Sequence, residues 1–311
     1  MRKDLYIIGN GFDKHHSIPC GYQDYRRWLK SSSNYLILET IDNNFGWTDD
    51  DWWSKFEENL ASVETLRIAT EEAFEHYPDF GSDDFRDRDW NEAAISVETR
   101  LQSTYDSIKD SFRCWIQSLP KGNNTKMLKL RRGNSLFLNF NYTDTLETIY
   151  KINPHKILYI HGKGDSDDDL IIGHGKSYKD IEKDMEKFEQ IEEGDFVYQL
   201  AKGAAVYEVS QYNKPVDKII TKHKEWFLNL SDVTHIHIYG HSFSDVDLPY
   251  FSKVFASVDI SNIQLEVSAF TDEDKKRIKT FMHTKNVTFC ENQFVSLADL
   301  QYSIQTRIEF T

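Results

Sequence analysis

The chain has 311 residues, 39% hydrophobic and 28% charged, enough to bury a sizeable core and too rich in apolar side chains for a disordered segment. Its formal charge of −14 speaks against a general binder of nucleic-acid backbones, which draws on clustered cations; Arg26-Arg27 and Lys129 to Arg132 are short basic runs of the kind that form solvated faces. Three widely spaced cysteines with no Cys-x-x-Cys pair imply free thiols in a reducing compartment and exclude a four-cysteine zinc module.

The first apolar run, Leu5 to Ile8, breaks at Gly9 and is too short for a secretory leader or a membrane span, so a cytoplasmic protein without membrane association is expected. The run predicts a buried strand that turns at Gly9-Asn10-Gly11. The period then becomes helical. Trp53, Phe56, Leu60, Val63, Leu66, Thr70, Ala73 and Tyr77 predict one long amphipathic helix, and Val97, Leu101, Tyr105, Ile108, Phe112, Trp115 and Leu119 predict another. An exposed acidic loop, 79–89, separates them, and their aromatic stripes read as core packing.

Short β-prone runs follow at 135–140, 156–160, 234–239, 263–270 and 287–290, with a helical region at 178–230 interrupted near Gly194, Gly203 and Pro215. His235 and His237 alternate on one of these strands and read as satisfied structural side chains rather than ligands; for His174, between Gly173 and Gly175, both readings stay open. Strand alternating with helix predicts the α/β class, a Rossmann-like parallel sheet with large all-helical insertions. With no Pro-rich or Gly/Ser-rich linker, the helical part is inserted: the sheet domain is expected from 1–21 and 133–311, the helical insertion from 22–132, and a helical cap at 178–230.

The strand ends carry the chemistry. They finish in Gly9-Asn10-Gly11-Phe12-Asp13, Asn139-Phe140-Asn141-Tyr142-Thr143-Asp144, His161-Gly162 and Gly240-His241-Ser242-Phe243-Ser244-Asp245. Amide, imidazole and carboxylate groups thus recur where ligands of open α/β sheets bind. Glycines at 9 and 11 let backbone approach a pyrophosphate, although two glycines alone are a common turn.

Ile7 to Pro19, Asn139 to Glu147, Ile160-His161-Gly162 and Tyr239 to Asp247 resemble the bacteriophage abortive-infection AbiH family over nearly the whole chain. That family is in turn similar to a distant sirtuin-like fold around NAD. The resemblance implies that Gly9, Asn10, Gly11 and Asp13 hold the pyrophosphate loop, that Asn141 stands beside the nicotinamide ribose with Asp144 near it, that His161 serves the ribose hydroxyls, and that Gly240, Ser242 and Asp245 line the adenosine side. Ile18-Pro19 with Asp24-Tyr25-Arg26 looks like the sirtuin Ile-Pro-Asp-Phe-Arg lid with four residues interposed. The missing zinc module speaks against protein deacylation.

The resemblance therefore implies an anti-phage effector that takes NAD as substrate and hydrolyses it to nicotinamide and ADP-ribose, with Asn141 and His161 catalytic and no metal. Self-association or a regulatory protein partner is expected for a toxic activity. Two other readings stay open. Asp13, Asn141, Asp144, His161, His174, His241 and Asp245 supply the ligand types of a metal-dependent phosphoesterase or nuclease, and the crevice could serve a non-catalytic nucleotide sensor.

Overall fold

Strands covered by helices on both faces are short and apolar throughout, which is the character of Leu5 to Ile8 and its counterparts. In the computed structural model of the chain, which describes residues 2–31, 33–79, 81–166, 169–187 and 195–302, they form one six-stranded parallel sheet. Its strands are β1 Asp4–Ile8, β2 Ser135–Asn139, β3 Ile157–Tyr159, β4 His235–Tyr239, β5 Gln264–Ser268 and β6 Phe294–Val295. The order β3-β2-β1-β4-β5-β6 is that of a Rossmann sheet, and Ile8 is level with Asn139 on one side and Tyr239 on the other.

Alternation along the strands divides the core in two. Leu5, Ile7, Leu138, Ile236, Ile238, Leu265 and Val267 pack with Phe227, Tyr250, Phe251, Ile278 and Met282 from the helices Lys224–Leu228, Leu248–Ser257 and Asp272–Thr284. On the other face Tyr6, Ile8, Phe137 and Tyr239 pack with Phe12, Leu128, Leu146 and Tyr150. That face also holds His237, which stacks on Tyr6 and has Nε2 2.9 Å from Asp4 Oδ1 and Nδ1 3.0 Å from Glu266 Oε1. Both its nitrogens are engaged, as a structural histidine requires.

Two expected elements differ. Residues 287–290 form no strand, and the sheet is completed by Phe294–Val295, with Val267 level with Phe294 and Ser268 with Val295. Val287 and Phe289 instead turn into the core, and Cys290 starts a capped 3-10 turn, Glu291–Gln293, whose Gln293 side chain donates to the Leu265 carbonyl. The expected long helix over 53–77 is three helices, Asp50–Ser54, Phe56–Asn59 and Thr65–Glu75. The break resets the buried face to Thr65, Ile68, Ala69, Glu72 and Ala73, leaving Thr70 exposed.

The chain divides into two compact units, one of Met1–Gly21, Ile116–Ile171 and Pro215–Thr311 that carries the sheet, and a helical one of Tyr22–Trp115 and Ile172–Lys214. Residues 116–132, expected in the insertion, thus group with the sheet, and the expected cap at 178–230 is shared between the units. The interruption expected near Gly194 lies outside the described residues.

The helical unit holds the helix Glu92–Ser118 as far as Trp115, and in it Val97, Leu101, Tyr105, Ile108 and Phe112 are buried as their spacing predicts. Within it His174 is buried, with Nε2 2.8 Å from the Val209 carbonyl and Nδ1 accepting the Lys176 amide at 3.1 Å. The room left by Gly173 is filled by backbone, since a Cβ there would lie 2.2 Å from the Tyr212 oxygen. His174 is a structural pin. Among the described residues no helix is long and apolar enough to cross a membrane.

Candidate functional site

In this strand order the crevice that admits ligands opens beyond the carboxyl ends of β1 and β4. Here those ends touch. Gly9 N donates to the Tyr239 carbonyl at 3.0 Å and Gly11 N to the Gly240 carbonyl at 2.7 Å, while Phe12 N donates to Gly9 O at 2.9 Å. Gly240 is left-handed, with φ +69°, and a Cβ on it would lie 2.1 Å from Phe12 N. A Cβ on Gly9 or Gly11 would come within 2.7 Å of Gly240 backbone. The three glycines permit backbone to meet backbone, and the amides of 9, 11 and 12 are committed to the protein's own carbonyls.

Beside this closure stands a buried polar group. Asn141, one residue past the ladder contact of Phe140 N with the Ile8 carbonyl, donates from Nδ2 to Gly9 O at 3.1 Å and from its backbone amide to Asn139 Oδ1 at 3.2 Å. Asp13, fully buried on the helix Asn10–His15, accepts from the Thr143 hydroxyl, which lies 3.2 Å from the Thr145 hydroxyl. Among the described residues Asp13 Oδ1 and Asn141 Oδ1 are buried acceptors without a hydrogen-bond partner. Burial pushes the Asp13 carboxyl up to about 6, against the lowering effect of Thr143, Thr145 and Asn141.

A second group forms at the ends of β3 and β4. His161 and His241 are buried, and Asp247 stands between them, Oδ1 3.4 Å from His161 Nε2 and Oδ2 3.5 Å from His241 Nε2. The Ser244 hydroxyl donates to Asp247 Oδ2 at 3.0 Å. Phe140 meets both imidazoles edge to face, with centroids at 5.3 and 4.4 Å, and Tyr250 lies beside His161. Gly162, with φ +84°, supplies the left-handed turn after His161, and a Cβ there would strike the Asp169 carbonyl.

Of the residues expected from sequence, Asn141 joins Gly9 and Asp13, and His161 joins the Asp247 group. Asp144 is half-buried at the start of the helix Thr145–Thr148, Asn10 is half-buried, and Ser242 and Asp245 are exposed. Arg26 and Asp24 pair with Asp50 and Arg27 inside the helical unit. Sequence reasoning passed over Asp247 for Asp245 and did not use Thr143. Pro249 was the available signal: proline favours the first helical turn, which makes Asp247 the residue before the helix Leu248–Ser257.

Of the metal-ligand types named from sequence, His161 and His241 meet across Asp247 and Asp13 meets Asn141, but among the described residues they form no trio spaced to hold an ion. Among the described residues the one trio spaced to hold an ion is Glu72, Glu75 and His76, in the helical unit, where Glu72 already pairs with Arg100 at 2.9 Å.

A family model described as bacteriophage abortive infection AbiH matches residues 5–269, from β1 to just past β5. No curated protein and no solved structure matches the chain. The matched span takes in β1 to β5 and both polar groups at their ends, so this chain belongs to the AbiH family of bacteriophage abortive infection.

Proposed function

We propose that this abortive-infection protein hydrolyses NAD to nicotinamide and ADP-ribose at the carboxyl edge of its sheet, in a sirtuin-like manner. The observation that carries the reading is a buried amide, Asn141, and a buried imidazole, His161, at the ends of neighbouring strands of a Rossmann-ordered sheet.

The bond between nicotinamide and ribose breaks with its electron pair passing to the pyridinium nitrogen, leaving an oxocarbenium-like sugar. Water adds to that carbon and its proton passes to His161, which releases it to solvent. Asn141 orients the ribose or the water. Gly9, Gly11 and Gly240 act by bringing β1 and β4 together, while Asn10, Asp144, Ser242 and Asp245 border the substrate. Exposed Trp47 and Phe74 in the helical unit are where a second copy or a regulatory protein is to be sought.

The test is nicotinamide release from NAD by purified protein, with Asn141→Ala and His161→Ala each lowering it by roughly 100-fold or more. Intact NAD under conditions where the protein blocks phage growth overturns the reading, and nucleotide binding without product assigns the crevice to a sensor.

A further inference from the structure

We propose that Asp247 is a positioning residue that fixes His161 with its proton on Nε2. The assignment of His161 as base rests on the NAD reading above; the Asp247 constraint rests on geometry alone.

The argument begins at His241. Its Nδ1 accepts the Phe243 amide at 2.9 Å, so the neutral ring carries its proton on Nε2, the nitrogen 3.5 Å from Asp247 Oδ2. Phe243 holds that amide in place at a cost, because its φ of +55° is strained for an aromatic residue. Its ring is clamped by stacking on Phe251 at 4.4 Å. The Ser244 hydroxyl donates to the same Oδ2.

Oδ2 thus accepts from Ser244 and faces His241 Nε2 at 3.5 Å, while Oδ1 faces His161 Nε2 at 3.4 Å. A carboxylate oxygen facing an imidazole nitrogen selects the tautomer with hydrogen there, and such contacts are commonly long before a ligand arrives. Phe140, edge-on to both rings, keeps them from rotating away.

The experiment is imidazole-nitrogen NMR on the full chain labelled at histidine, with His161 assigned by its loss in His161→Gln. Wild-type His161 is expected as the Nε2–H tautomer, and Asp247→Asn, which keeps the shape but removes the charge, shifts it toward a mixture. A wild-type Nδ1–H tautomer, or a His161 signal unmoved by Asp247→Asn, overturns the proposal. In parallel, Asp247→Asn is expected to lower kcat for nicotinamide release by roughly 100-fold or more with KM little changed. If the tautomer responds as expected while neither protein releases nicotinamide, Asp247 stands as the positioning residue and the NAD reading falls.

Discussion

Asn141 and Gly9, 132 residues apart in the chain, are joined by a hydrogen bond of 3.1 Å from the Asn141 side-chain amide to the Gly9 carbonyl. The bond ties the tip of β2 to the turn after β1, so one side chain both closes the fold and stands at the candidate site. Asn141→Ala removes one of the two donors to a buried carbonyl that keeps the Phe12 amide, and is expected to cost about 0.5–1.5 kcal/mol, leaving the protein folded. Asn141→Asp sets a carboxylate against that carbonyl and beside Asp13, and is expected to cost more. Urea unfolding of both variants decides; an Asn141→Ala protein as stable as wild type rejects the hydrogen bond's role.

Asp13 makes stability depend on pH in a direction opposite to most carboxylates. Burial raises it from an ordinary 3.8 to about 6, so between these values the folded chain holds a proton that the unfolded chain has lost. Its contribution is therefore full below about pH 4 and is lost as pH rises through about 6, a difference of roughly 3 kcal/mol. Asp13→Asn keeps an acceptor for Thr143 and cannot ionise. It is expected to gain on wild type as pH rises from 4.5 to 7.5, measured by urea unfolding at both; a constant difference means Asp13 titrates normally.

The strands of the sheet were legible because their apolar runs and polar ends are local features. What escaped the sequence depended on distant partners. Gly9 and Gly11 look like a phosphate loop until Gly240, more than 200 residues on, is found against them. Asp245 and Asp247 are equivalent in composition, and the left-handed turn at Phe243 with the helix start at Leu248 decides which faces the histidines. Two-residue β6 carries no periodicity to read, and the break between Asn59 and Thr65 shifts a helical stripe that looks continuous on paper.

Two glycines test the packing argument in opposite directions. Gly240→Ala forces a Cβ to 2.1 Å from Phe12 N at φ +69°, and strain plus overlap is expected to cost roughly 2–5 kcal/mol, seen as lost soluble yield and a lower Tm. Gly203 lies exposed inside the helix Phe196–Gln211 with no neighbouring atom within 4 Å of an added Cβ. Gly203→Ala is expected to stabilise by about 0.5–1 kcal/mol. A tolerated Gly240→Ala contradicts the close approach of the two strand ends.

The helical unit hides a charge pair whose worth depends on keeping both members. Lys214 Nζ, with its side chain fully buried, lies 2.9 Å from Glu57 Oε1 and 3.0 Å from Oε2. Lys214→Met takes this cation from a largely buried carboxylate and is expected to cost about 3–5 kcal/mol. Adding Glu57→Leu removes the remaining buried charge, so the double variant is expected to recover most of that loss, because desolvating two ions offsets much of their attraction. Unfolding free energies of the two single variants and the double close the cycle. A double variant whose loss equals the sum of the singles shows that the two side chains do not act together, and their mutual attraction then adds nothing to the unit's stability.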